Sequence, residues 1–251
     1  MNPFFAALAF LTKIPVPGQK KIDENILAKS SAYFPAAGIV IGVILILFAA
    51  LFQSIFPLQE GIKAASLLAL WVYLTGALHL DGLADTFDGI GAGATAEERL
   101  RIMKDTHTGT FGTVAVVLLL LLKYSILLHL EGAKLFTALF YAPLLSRWSM
   151  VLVMYSTPYA GKKESLGNIF MDKFTPRHFA AATAITLAAA LLSPRLFLFP
   201  LLPLTLLVTA ALRLFFLKKL GGITGDCLGA VNELLELALL FSLALIPLLP
   251  W

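Results

Sequence analysis

Long, nearly uncharged apolar runs are the feature that most limits what this chain can fold into. A helix needs about 20 apolar residues in a row to cross the roughly 30 Å hydrocarbon core of a bilayer, and several runs here reach that length. Only 14% of the residues are charged, whereas about a quarter are charged in a typical soluble domain. The sequence therefore predicts an all-α, polytopic integral membrane helical bundle and argues against a soluble globular protein.

Polar breaks divide the apolar runs into seven predicted transmembrane helices, within a single domain over residues 1–251. Their approximate bounds are 35–57, 64–81, 111–130, 135–156, 178–193, 197–213 and 230–250. The fifth and sixth are short, and Ser193-Pro194-Arg195 separates them, since proline ends a helix and arginine resists burial. The apolar segment ahead of the first span is expected to lie in the membrane interface or to re-enter the membrane partway.

Basic residues give the predicted orientation. With the N-terminus in the cytoplasm, the N-terminal segment and the connections around 99–104, 162–177 and 213–219 place most lysines and arginines inside, as the positive-inside rule requires. The prediction is N-in/C-out, with the polar, glycine-rich segments at the cytoplasmic ends of the spans. This rule accounts for the net charge of +4, so we expect no nucleic-acid partner. The lone Cys227 excludes an internal disulfide and a cysteine-based zinc site.

Three aspartates follow the second predicted span in "LHLDGLADTFDG" at 78–89. If the helix continues through this stretch, Asp81, Asp85 and Asp88 lie within about 60° of one another along roughly 10 Å of its axis. Like charges on one face repel each other, and a divalent cation between them would relieve that repulsion. Hard oxygen ligands suit Mg²⁺ or Mn²⁺, so the pattern predicts a metal site. A solvated helix end is the alternative.

A second acidic stripe opens the last predicted span, in "GGITGDCLGAVNELLE" at 221–236. Asp226, Glu233 and Glu236 share one helical face with Gly229. Because this span enters the membrane in the opposite direction, its acids are expected to face the first stripe at the same membrane level. The predicted metal ligands are Asp81, Asp85, Asp88, Asp226 and Glu233. Taken alone, a pair of glutamates near a span end is more often solvated than catalytic.

Glycine- and threonine-rich segments at two helix starts are predicted to bind phosphate, because a helix N-terminus offers free backbone N–H groups and a positive dipole end. Neither segment matches a P-loop. Basic side chains near the first, and an arginine inside the fourth predicted span, add positive charge. The predicted phosphate-binding residues are Arg101, Lys104, Thr108, Gly109, Gly112, Arg147, Gly222, Thr224 and Gly225. Ordinary helix caps are the alternative for the glycines, and Arg147 could equally pair with one of the aspartates for stability.

Four motifs, in order along the chain, resemble the cobalamin synthase family (adenosylcobinamide-GDP ribazoletransferase). They are "FLTKIPVP" at 10–17, "LHLDGLADTFDG" at 78–89, "RLRIMKDTHTGTFG" at 99–112 and "GGITGDCLGAVNELLE" at 221–236. The resemblance implies a Mg²⁺-dependent enzyme of the cytoplasmic (inner) membrane, with its active site on the cytoplasmic face. It would transfer the adenosylcobinamide phosphate group from adenosylcobinamide-GDP to α-ribazole or its 5′-phosphate and release GMP. The segment 156–178 matches no pattern of the family, so Asn168 and Asp172 are assigned no role.

Within that reaction, Asp81 and Asp85 are predicted to act in catalysis, and one of the acids or His107 is predicted to deprotonate the incoming hydroxyl. The expected partners are the two small-molecule substrates and the lipid bilayer. The sequence leaves open whether copies of the chain form a homo-oligomer.

Two other functions also fit a membrane protein with acidic helix faces. A CDP-alcohol phosphotransferase likewise uses intramembrane aspartates and a divalent metal, but its D-x2-D-G-x2-A-R-x8-G-x3-D-x3-D pattern is not met. A cation transporter would spread charged residues through the depth of the membrane. Here most charges, other than Lys123 and Arg147, are predicted to cluster at one face, which favours a surface-accessible active site.

Overall fold

The computed structural model describes residues 1–18, 23–56, 59–161, 166–192 and 198–245. Within these ranges the chain forms twelve α-helices, with one isolated β-bridge and no strand. The helices are α1 (Pro3–Leu11), α2 (Glu24–Ser30), α3 (Phe34–Ile55), α4 (Glu60–Thr75), α5 (Leu78–Ala92), α6 (Ala96–Ile102), α7 (Thr110–His129), α8 (Gly132–Ser156), α9 (Leu166–Asp172), α10 (Pro176–Leu192), α11 (Leu198–Leu220) and α12 (Gly225–Leu245). The predicted all-α class is confirmed.

Five helical segments of the described chain are long and apolar enough to cross a membrane. They are Glu24–Ile55, Thr110–His129, Gly132–Ser156, Pro200–Leu220 and Gly225–Leu245. The bent pair α4 and α5 adds a sixth if it counts as one span, and α10, the remaining predicted span, is a shorter apolar helix. The polytopic bundle is therefore confirmed, whereas the N-in/C-out orientation stays a prediction. Lys20, Lys21, Lys162 and Lys163, which contributed to that orientation, and the predicted break at 193–195 lie outside the described residues.

The second predicted span is broken rather than continuous. Helix α4 ends at Thr75, and both Gly76 (φ 59°) and Ala77 (φ 57°) adopt the left-handed conformation before α5 begins at Leu78. Two such residues in succession cannot continue a right-handed helix, so α5 turns away from α4 by 87°. The prediction of one helix over 64–81 was wrong for this reason, and the three aspartates lie on α5 alone.

Helix α12 lies at the centre of the bundle and packs against α5, α7, α8 and α11. Its crossing with α5 is close because both helices present glycine there. A Cβ atom at Gly82 would lie 2.9 Å from the backbone oxygen of Asp226, and a Cβ at Gly229 would lie 3.0 Å from that of His79. Small residues let helix backbones approach in this way within membranes. The crossing brings the start of α12 directly beside Asp81 on α5.

Replacing Gly82 by alanine is therefore expected to push α5 and α12 apart. The added Cβ would meet backbone atoms, which cannot rotate aside, and overpacking of this kind costs roughly 1–3 kcal/mol. We expect a measurable fall in the thermal unfolding temperature and at least about a tenfold fall in activity. Gly61→Ala is the matched control, because a Cβ there would meet only the Tyr124 hydroxyl at 3.4 Å. Equal behaviour of the two variants would show that the glycine crossing is not needed.

Candidate active site

Three carboxylates from two helices converge where α5 crosses α12. Asp81 is exposed in the first turn of α5, Asp85 is half-buried one turn further on, and Asp226 is half-buried in the first turn of α12. Asp85 experiences the negative charges of Asp226, Asp81 and Asp88, in that order of strength. The sequence prediction that acids of the two stripes meet at one level thus holds for Asp81, Asp85 and Asp226.

Asp88 serves a different purpose from the other aspartates of α5. Its carboxylate is buried and accepts hydrogen bonds from the backbone amides of Gly109 (2.7 Å) and Gly112 (2.8 Å), at the start of α7. An acid at a helix N-terminus satisfies amides that have no intrahelical partner. The backbone amides of Gly109 and Gly112, which were predicted to bind phosphate, therefore bind the carboxylate of Asp88 instead. These contacts give Asp88 a structural role at the start of α7, while its assignment to the metal stays a prediction.

Glu233 lies apart from the three converging aspartates. It is seven residues beyond Asp226 on α12, about 10 Å along the helix axis, and it is buried. The Nζ atom of Lys123 on α7 lies 2.6 Å from Oε2 of Glu233 and 2.6 Å from Oε2 of Glu236. Lys123 thus pairs with both glutamates within the bundle, and Glu233 belongs to this ionic network rather than to the group formed by Asp81, Asp85 and Asp226.

Arg147 completes this buried ionic network. Its guanidinium is fully buried on α8 and pairs with Glu236, while a second amino group lies 3.4 Å from Nδ1 of His79. Asn232 donates to Glu236 at 3.2 Å. Arg147 thus pairs with a carboxylate for stability, as one of the two alternatives expected, but that carboxylate belongs to Glu236 and not to an aspartate. Two cations and two anions pair with one another here, so the network is closed.

Two cavities meet beside Asp81 and Asp226, whereas Asp85 is not among the residues that line either of them. The inner cavity has a volume of about 350 Å³, and Asp81, Thr224 and Asp226 line its polar end. The outer cleft has a volume of about 570 Å³ and is lined by residues of α6, by the chain that follows it and by Ala160. Lys104 and Gly161 line both cavities. A ligand could therefore occupy each cavity with its reactive end at Lys104.

A short backbone pairing positions the loop before α12. The amide of Ala160 donates to the carbonyl of Ile223 (2.8 Å), and the amide of Ile223 donates to that of Pro158 (3.0 Å). Gly222 is needed because a Cβ there would collide with the Pro158 carbonyl. Gly222 thus packs the loop and is not among the described residues that line the two cavities, whereas Thr224 and Gly225 line the inner one. The Thr224 hydroxyl also accepts from the amide of Cys227 at 3.2 Å, which caps α12.

The remaining predicted residues lie around the outer cleft. Lys104 is exposed and attracts Asp226 electrostatically, and Arg101 lines the cleft. His107 is exposed and bonded through Nδ1 to Asp105 at 2.8 Å, a contact that lowers the pKa of the Asp105 carboxyl. Thr108 is exposed. Neither His107 nor Thr108 is among the described residues that line the two cavities.

The sequence analysis missed the apolar end of the inner cavity. Its wall is made by side chains from five helices, which are Phe10, Phe34, Met150, Met154, Phe170 and Leu228. In a chain this rich in apolar residues, the sequence does not distinguish apolar side chains that line a cavity from those that pack in the core. The one available signal was the motif "FLTKIPVP", which contains Phe10.

Comparison with known proteins gives consistent matches over nearly the whole chain. The family model described as Cobalamin-5-phosphate synthase matches residues 3–244. A Syntrophobacter fumaroxidans protein named adenosylcobinamide-GDP ribazoletransferase is 39% identical over 243 residues, which cover 96% of this chain and 97% of that protein. A Pseudomonas putida protein of the same name is 40% identical over 248 residues, covering 98% and 99%. No solved structure matches the chain.

Proposed function

The chain belongs to the cobalamin-5-phosphate synthase family, and we propose that the family's reaction takes place where its two cavities meet. The reaction assembles the nucleotide loop of coenzyme B12 by transferring the adenosylcobinamide phosphate group from adenosylcobinamide-GDP to α-ribazole or its 5′-phosphate. Family membership leaves no support for the CDP-alcohol phosphotransferase. The closed ionic network around Lys123 likewise gives no support to the cation transporter.

The chemistry requires a hydroxyl, a diphosphate and a proton acceptor in one place. The hydroxyl oxygen of the ribazole forms a bond to the corrin-side phosphorus, the bond from that phosphorus to the bridging oxygen breaks, and GMP leaves with the bonding electron pair. The hydroxyl proton passes to a carboxylate. The observation that carries the proposal is that Asp81, Asp226 and Lys104 line the inner cavity together. Positioning and charge neutralisation are the main demands of phosphoryl transfer.

Mg²⁺ is the cation that this donor set fits. Asp81, Asp85 and Asp226 are hard oxygen ligands whose charges repel one another. Among the described residues no group of three or more acidic, histidine or cysteine side chains is arranged to hold a metal ion by itself. Mg²⁺ commonly binds through one or two carboxylates together with substrate phosphates and water, so an open set of this kind fits it. Held by these aspartates, Mg²⁺ would supply neutralisation of the charge that develops on the phosphoryl oxygens.

The basic residues of the outer cleft complete the proposed site. Lys104 stands where the two cavities meet and is placed to bind the diphosphate, with Arg101 further along the cleft. The larger, outer space would receive adenosylcobinamide-GDP, and the smaller, inner one the ribazole. One of the carboxylates, rather than the exposed His107, is proposed to take the hydroxyl proton. We place this site on the cytoplasmic face of the inner membrane, because its basic residues follow the positive-inside rule.

Purified protein in nanodiscs, given adenosylcobinamide-GDP and α-ribazole, is expected to release GMP and form a cobalamin product when Mg²⁺ is present. Addition of EDTA should reduce GMP release to background, and excess Mg²⁺ should restore it. The thermal unfolding temperature, measured in both conditions, controls for loss of folded protein. Absence of GMP release from folded protein with Mg²⁺ would overturn the proposed reaction, and an unchanged rate in EDTA would overturn the metal assignment alone.

A further inference from the structure

The inner cavity has two chemically different ends. Its polar end carries Asp81, Lys104, Thr224 and Asp226, which the proposed reaction uses. Its other end is formed by the six-residue apolar wall, which that reaction leaves without a role. Binding pockets for small organic molecules commonly combine an apolar body with a few polar groups that fix orientation. The apolar wall is therefore expected to bind an apolar group of a ligand.

Three phenylalanines give the wall its shape. The ring centroid of Phe10 lies 6.1 Å from that of Phe34 and 5.0 Å from that of Phe170, and Phe34 and Phe170 are 5.7 Å apart. Each pair falls in the range of favourable aromatic contacts. The rings come from α1, α3 and α9, and Phe34 and Phe170 are almost fully buried. Mutual contact between separate helices fixes the wall, so it presents a preformed aromatic surface.

The size of the inner cavity limits which group can occupy it. A volume of about 350 Å³ lies near the lower end of the range for small-molecule pockets, roughly 300–1,000 Å³. That space suits one nucleoside and is too small for a corrin ring with its side chains. The candidates among the reactants are therefore the guanine of the donor and the base of the ribazole.

The apolar character of the wall favours one of these two bases over the other. Guanine has a polar edge of donors and acceptors, and burying that edge against phenylalanine and methionine would leave its hydrogen bonds unmade. The benzimidazole-type base of a ribazole has an apolar rim and a flat face. Methionine sulfur also makes favourable contacts with aromatic rings, and Met150 and Met154 both line the cavity.

We propose that the apolar wall binds the flat, apolar base of the nucleoside acceptor. This inference rests on the proposed function and assigns the inner cavity to one of its two substrates. With the base against Phe10, Phe34 and Phe170, the ribose extends toward the polar end, and its hydroxyl lies among Asp81, Asp226 and Lys104. Helix α1, which has no part in the carboxylate chemistry, then has a direct role in substrate recognition through Phe10.

The test compares the KM values for the two substrates in Phe10→Ala. Phe10 is partly exposed, so its truncation preserves the buried part of the wall. We expect the KM for α-ribazole to rise at least about tenfold, as loss of apolar contacts in a pocket does, with the KM for adenosylcobinamide-GDP within twofold of wild type. Phe241→Ala, a truncation on the exposed face of α12, should change neither KM.

A second variant tests the polarity of the wall without opening a cavity. Met154→Gln keeps the length of the side chain and adds donors and acceptors. We expect this variant to lose preference for α-ribazole over a purine α-riboside by at least about tenfold in kcat/KM, and equilibrium dialysis of each nucleoside should give the same order of affinities.

The possible outcomes separate this inference from the proposed function. If the wild-type enzyme turns over and neither variant alters the affinity for ribazole, this inference alone is overturned. A rise confined to the KM for adenosylcobinamide-GDP would overturn it in favour of the donor. Absence of turnover in the wild type would instead overturn the proposed function.

Discussion

Replacing Asp85 by asparagine is expected to lower kcat by at least about a hundredfold, the usual loss when one preorganised electrostatic group is removed from an active site. The substitution preserves shape and removes the charge of one of the neighbouring aspartates proposed to attract Mg²⁺. The Mg²⁺ concentration that gives half-maximal rate should therefore rise. Steady-state GMP release at several Mg²⁺ concentrations measures both quantities.

Stability should not fall in the same variant. Asp85 lies among the negative charges of Asp226, Asp81 and Asp88. Removing one of these charges lowers the electrostatic repulsion within the folded protein. We expect an unfolding temperature equal to or above that of wild type. Glu131→Gln, which removes an exposed carboxylate at the start of α8, should alter neither activity nor stability. Near-normal turnover and Mg²⁺ dependence in Asp85→Asn would remove Asp85 from the proposed site.

The largest loss of stability is expected from Lys123→Met. Lys123 is almost fully buried, and its Nζ atom contacts both Glu233 and Glu236 at 2.6 Å. Removing it leaves the two glutamates with the single charge of Arg147 inside the bundle. Breaking a buried ion pair by deleting one partner costs about 3–5 kcal/mol. The free energy of unfolding, measured by denaturant titration in mixed micelles, should fall by that amount.

The double variant Lys123→Met, Glu233→Gln is the control for this interpretation. It removes one charge of each sign and so restores neutrality, and replacement of a whole buried pair is far less costly than loss of one partner. We expect it to recover most of the lost stability, with a coupling energy above about 1 kcal/mol in the double-mutant cycle. If the double variant were as unstable as the sum of both single variants, the network would not act as a charge-balanced unit.

The positions of the membrane helices could largely be predicted from the sequence, because the cost of burying charge in a bilayer makes apolar runs easy to identify. The break at Gly76 and Ala77 could not. Glycine is an ordinary helix end, but an alanine in the left-handed conformation is uncommon, and nothing in its neighbours along the chain requires it. Together with Gly76, this residue gives the 87° angle between α4 and α5, which local sequence patterns therefore could not predict.

Most residues of the candidate site could be predicted from the sequence, but which of them contact one another could not. Helical periodicity correctly grouped Asp81, Asp85 and Asp88 on α5, but the amides that bind Asp88 belong to Gly109 and Gly112, more than 20 residues away. Likewise, the periodicity that put Glu233 on the face of Asp226 could not show that Lys123 neutralises it. One-dimensional spacing shows which side chains share a helix face, whereas their partners depend on how helices cross.

The central place of α12 has a consequence for how the protein is made. Lys123 lies on α7, but its acidic partners Glu233 and Glu236 are translated 110 and 113 residues later. Glu236, the partner of Arg147, is translated 89 residues after that arginine. Until α12 arrives, the nascent chain therefore carries two uncompensated cations in the membrane. The same helix brings Asp226, so a chain cut short before α12 lacks one carboxylate of the proposed site and is electrostatically unbalanced. Unpaired buried charge and an incomplete proposed site would thus arise together in any chain that lacks α12.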